Sequence, residues 1–154
     1  MERPIYIHSD GGARGNPGPA GIGYVILDED KRVLAQGSQY IGETTNNVAE
    51  YTALKQALLA AARLGDGPVE VFSDSELMVK QINGEYKVKH ANLQPLHAEV
   101  RDLLRRFRSY KVTHVRRELN KEADALVNAS IDAHFRQARS QPAKELPPDP
   151  SIDG

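Results

Sequence analysis

Ile5-Tyr6-Ile7-His8-Ser9-Asp10-Gly11-Gly12-Ala13-Arg14-Gly15-Asn16-Pro17-Gly18 is the stretch on which the fold turns. Ile5 and Ile7 alternate with Tyr6 and His8, which predicts a strand; the glycines and Pro17 predict that it stops at Asp10. A carboxylate at a strand end, beside glycines that let another backbone approach closely, fits a binding site. An aspartate that merely opens a tight turn fits the same residues equally well.

Working outward, Gly21 to Leu27 and Val33 to Ile41 are β-rich runs joined by the polar turn Asp28-Glu29-Asp30-Lys31-Arg32. Together with the first run they predict three consecutive antiparallel strands. Val48 to Leu64 carries Ala49, Ala53, Leu54, Ala57, Leu58, Ala61 and Leu64 on one helical face. Across that helix, Val69-Glu70-Val71-Phe72-Ser73 predicts a strand parallel to the first, and it too ends on an aspartate, Asp74. A short helix from Ser75 to Ile82 and a lysine-bearing connection precede a helix built on Leu93, Leu96, Val100, Leu103, Leu104 and Phe107. A strand from Tyr110 to Val115 and a helix from Asn120 to about Phe135 complete the domain. The pattern is α/β: a mixed five-stranded sheet, three antiparallel strands and then parallel ones, with helices on both faces. Residues 1–138 form one domain, and the proline-rich composition from Arg139 to Gly154 predicts a disordered tail.

A chain of 154 residues is long enough to bury a real core. A net charge of −1 singles out no partner, although Arg101 to Arg117 is strongly basic. No cysteine occurs, which excludes disulfides and thiolate metal sites. With no signal peptide or membrane span in the sequence, a cytoplasmic monomer is expected.

Asp10 and Asp74 close neighbouring parallel strands, the edge at which ligands bind in such sheets. Glu50, in the first turn of the long helix, and Asp124, in the first turn of the last, belong to helices that begin near the same edge. Each acid has a plainer reading: Asn47 to Glu50 and Ser73 to Glu76 outline capping boxes, and Asp124 complements a helix dipole. Convergence of four acids from four segments favours a site, because crowded carboxylates repel unless cations lie among them. An oxygen donor set suits two Mg²⁺ or Mn²⁺ ions, which roughly 4 Å apart support in-line displacement at phosphorus. Asn16, Thr45, Asn46, Asn47 and Ser75 surround the acids and suit phosphates or sugar hydroxyls, or turn and cap duty.

Tyr6 to Gly12, Gly15 to Gly21, Thr44 to Glu50, Phe72 to Ser75 and Asn120 to Leu126 together resemble the type 1 ribonuclease H family. The resemblance implies hydrolysis of the RNA strand of RNA–DNA hybrids, leaving 5′-phosphate and 3′-hydroxyl ends, with Asp10, Glu50, Asp74 and Asp124 as metal ligands. It also implies that Asn16, Asn46 and Ser75 contact RNA and that Thr45 holds a DNA phosphate. Many relatives carry a histidine just before the last aspartate; this chain has Arg116 and Arg117 instead. These arginines are expected to handle phosphate or to form a solvated basic edge. The tryptophan- and lysine-rich protrusion of some relatives is reduced to Lys87, Lys89 and His90, so hybrid affinity should be modest and salt-sensitive. The glycines after Asp10 are expected to give clearance to a nucleic-acid backbone. The alternatives are a non-catalytic nucleic-acid-binding module and a broader nuclease on double-stranded RNA or DNA.

Overall fold

The computed structural model describes residues 3–140. A five-stranded sheet has the order β3-β2-β1-β4-β5. Its strands are β1 (Ile5–Ala13), β2 (Gly18–Leu27), β3 (Val33–Thr44), β4 (Pro68–Ser73) and β5 (Ser109–His114). The first three pair antiparallel, while β1, β4 and β5 run parallel. Helices α1 (Asn46–Ala62), α2 (Glu76–Ile82), α3 (Gln94–Leu104) and α4 (Lys121–Ser140) complete the chain, with a short 3-10 turn at Arg117–Leu119 before α4.

The expected stop at Asp10 does not occur. β1 continues through Gly11 and Gly12 to Ala13 because β2 supplies partners throughout: Asp10 faces Gly23, Gly11 faces Ile22 and Gly12 faces Gly21. Only the parallel pairing ends early, at His8 opposite Phe72. Asp10 therefore lies two residues beyond the last parallel pair, and so does Asp74 on the neighbouring strand.

Gly11 and Gly23 make room for the protein's own helices. A Cβ on Gly11 would strike the backbone of Ala49 and Glu50, so its absence lets α1 lie directly against β1. On the opposite face, a Cβ on Gly23 would strike the Ala123 carbonyl and the Leu126 side chain, and its absence admits α4. Side chains alternate across a strand, so adjacent Gly11 and the Asp10–Gly23 pair face opposite ways, which puts α1 and α4 on opposite faces. For Gly11, clearance for a nucleic acid is therefore corrected to clearance for α1.

The core lies between the sheet and α1 to α3, where Ile7, Ile26, Leu54, Leu58, Val71, Val100 and Leu104 are fully buried. The expected domain end at residue 138 falls inside α4, which includes Arg139 and Ser140. The remainder of the expected tail lies outside the described residues.

Candidate active site

At the sheet edge where β1 and β4 part, carboxylate oxygens of Asp10, Glu50 and Asp74 lie within 4.8 Å of one another. Asp124 lies outside that trio, and all four acids line one cleft of about 860 Å³. Asp10 is 8% exposed. Burial, and then the nearby charges of Asp74, Asp124 and Glu50, push its carboxyl up to about 8. Burial raises Glu50 to about 7, against the opposing effects of a Ser75 hydrogen bond and the Arg117 charge. Such mutual destabilisation of ionised forms is what a bound cation relieves, and the all-oxygen donor set fits Mg²⁺ or Mn²⁺.

Local structure frees two of these acids from the plainer roles their sequence context suggested. Thr45 caps α1, its hydroxyl accepting from the Val48 N–H at 3.2 Å. Glu50 consequently falls in the second turn of α1 and takes no part in a capping box. Ser75 caps α2 by accepting from the Met78 N–H at 3.2 Å, which leaves Asp74 outside that cap. Asp124 is in the first turn of α4, as its spacing indicated.

The polar neighbours are in large part engaged by the protein. Asn46 accepts from the Ala13 N–H at 2.8 Å and donates its own backbone N–H to Asn16 at 3.1 Å, clamping the glycine loop to the start of α1. Ser75 is buried between its cap and Glu50. Asn46, Arg116 and Arg117 line the cleft, whereas Asn16, Thr45, Asn47, Ser75, Lys87 and Lys89 stand outside its lining. Arg117 Nε approaches Asp74 Oδ2 at 3.8 Å from an otherwise exposed position.

Several residues with no role assigned from sequence emerge. Asn120, fully buried, donates from Nδ2 to the Ser9 carbonyl at 2.8 Å and pairs through Oδ1 with His8 Nδ1 at 3.1 Å. It thereby pins the start of α4, and Asp124 with it, to the strand that carries Asp10. The signal was an asparagine immediately before a helix, which suggests a cap; its amide instead crosses to β1. Arg14 and His114 also line the cleft, with Arg14 held by Asp132 at 2.8 Å and Asn128 at 3.3 Å.

Residues 8–130 match the protein family described as reverse transcriptase-like. A ribonuclease HI of Halobacterium salinarum is 41% identical over 128 residues, covering 83% of this chain and 64% of that protein. The chain belongs to the ribonuclease H family. Among solved ribonuclease H structures, the N-terminal RNase H domain of a Mycobacterium tuberculosis protein, fused to maltose binding protein, superposes with a TM-score of 0.85. It is 43% identical, over 89% of this chain and 99% of that one. LC11-RNase H1 in complex with an RNA/DNA hybrid gives 0.82 at 49% identity, over 85% and 99% of the two chains. The chain spans 43% of the full-length Mycobacterium tuberculosis bifunctional protein. Among the described residues, no helix is long and apolar enough to cross a membrane.

Proposed function

We propose that this ribonuclease H family member is a metal-dependent endonuclease that cuts the RNA strand of RNA–DNA hybrids, leaving 5′-phosphate and 3′-hydroxyl ends. The observation that carries this reading is the convergence of Asp10, Glu50 and Asp74 within 4.8 Å at one sheet edge, with Asp124 lining the same cleft. The likeness to a ribonuclease H captured on a hybrid supports the choice of substrate.

Asp10, Glu50, Asp74 and Asp124 are the residues that would hold two Mg²⁺ or Mn²⁺ ions. Ions bound there supply Lewis acidity for in-line displacement by water at phosphorus. The chain's own residues orient the substrate. Asn16, Asn46 and Ser75 contact the RNA strand, Thr45, Lys87 and Lys89 hold the DNA strand, and Asn47 adds a further polar contact to the hybrid. Small amides and hydroxyls at such positions suit recognition of a 2′-hydroxyl in a shallow minor groove. Arg116 and Arg117, at the mouth of the cleft, handle phosphate near the leaving end. The catalytic unit runs from β1 through α4 and acts as a cytoplasmic monomer.

The test is cleavage of an end-labelled hybrid in Mg²⁺ or Mn²⁺ by the wild-type chain, Asp10→Asn and Asp74→Asn, with end-group analysis of the products. Loss of cutting in both variants is expected. Undiminished cutting by both would overturn the site, and tight hybrid binding without cutting at any metal concentration would favour a pure binding module.

A further inference from the structure

The connection from Asn83 to Leu93 has no helix or strand, yet it is fastened at nearly every residue from Glu85 to Val88. The backbone N–H groups of Glu85 and Tyr86 donate to the Lys80 carbonyl at 2.8 and 3.2 Å. Lys80 Nζ reaches the Tyr86 hydroxyl at 3.4 Å and stands 5.0 Å from its ring centroid. The Lys87 carbonyl accepts from Gln81 Nε2 at 3.4 Å, and the Val88 carbonyl accepts from Gln94 Nε2 at 3.1 Å. Val88 packs its side chain on the core, while Lys87 and Lys89, on either side of it, are exposed.

Gln81 is the inner anchor. It is 5% exposed, and its Oε1 accepts from the Tyr51 hydroxyl at 2.6 Å. Tyr51 is the next residue after Glu50 on α1, and its own exposure is 1%. One buried amide thus joins the helix that carries an active-site carboxylate to the backbone of the lysine segment. α2 begins just after Asp74 and is seven residues long, so the segment starts about 10 Å along the helix from that acid.

Resting on the function proposed above, we infer that Gln81 is a positioning residue for substrate grip. Through Tyr51 on one side and the Lys87 carbonyl on the other, it fixes Lys87 and Lys89 as a preorganised pair of cations at a set distance from the carboxylates. Preorganisation of this kind lowers the entropy lost on binding, which compensates for a grip of only two lysines.

Steady-state cleavage of a labelled hybrid by the full chain in Mg²⁺ tests this, using the wild type, Lys87→Ala/Lys89→Ala, Gln81→Leu, Gln94→Ala and the combinations. Removing both lysines should raise KM about fivefold and flatten the log–log salt dependence by about two. Gln81→Leu should raise KM about threefold with kcat kept within about twofold, and should add nothing once the lysines are gone. A merely structural glutamine would lower the active fraction and so kcat, leaving KM and the salt slope alone. A KM increase from Gln81→Leu that is the same with and without the lysines, or an unchanged KM, overturns the inference. An unchanged KM in the double lysine variant refutes substrate contact by the lysines themselves, and absence of cutting by the wild type refutes the function; either removes the inference too. If Gln81→Leu fails to fold, exposed Gln94→Ala carries the same comparison with the same outcomes.

Discussion

Replacing Asp10 by Asn should stabilise the metal-free protein at alkaline pH. In the unfolded chain this carboxyl titrates near 3.8, whereas in the folded protein burial and three acidic neighbours push it up to about 8. A carboxyl raised on folding binds its proton more tightly in the folded state. Its contribution to stability is therefore fully present below the unfolded value and is lost as pH rises towards about 8. The full displacement corresponds to about 5 to 6 kcal/mol; screening at the open cleft reduces what is realised to about 1 to 3 kcal/mol. Asn mimics the neutral acid, so the variant and the wild type should unfold alike near pH 4 in EDTA, with the variant becoming progressively more stable up to about pH 8. Urea unfolding across that range is the assay. Saturating Mg²⁺ should reverse the order, because the intact acid contributes to ion binding by the native state alone. A variant no more stable than the wild type at pH 8 in EDTA would refute the claim that the acids are held together against their own repulsion.

Three further outcomes follow from the geometry. Gly11→Ala drives a methyl group into the backbone of Ala49; it should cost about 2 to 4 kcal/mol on urea unfolding and lower kcat about a hundredfold by displacing Glu50. Asn120→Ala strips the buried Ser9 carbonyl of its donor and should cost about 2 to 4 kcal/mol, with kcat falling more than KM rises; calorimetry together with hybrid kinetics checks both. Arg117→Ala, at an exposed position beside Asp74, should leave folding intact and lower kcat about tenfold, and an unchanged kcat would make this arginine a solvated edge.

The hydrophobic alternation and the helical faces made the element order legible, and acids at the ends of parallel strands pointed to one edge of the sheet. What the sequence left hidden depends on partners distant along the chain. Gly11 and Gly12 look like strand breakers until β2 is present to pair with them, and Gly11 looks like room for a ligand until α1 occupies that room. The cap of α1 depended on which polar residue its backbone selected: Thr45, rather than Asn47, shifts Glu50 into the second turn. Asn120 was unreadable as an anchor because its partners, His8 and Ser9, lie more than a hundred residues away. Arg139 was placed in a tail because prolines follow it, yet Pro142 is the first that could interrupt the helix, and α4 runs on to Ser140.

The most direct test of the central claim is a side-by-side assay of RNA–DNA hybrid, double-stranded RNA and double-stranded DNA, each labelled on one strand and incubated with the chain in Mg²⁺ and in Mn²⁺. The account predicts cutting of the RNA strand of the hybrid, abolished by EDTA and by Asp74→Asn. Equal cutting of all three duplexes, or cutting that survives EDTA, would contradict it.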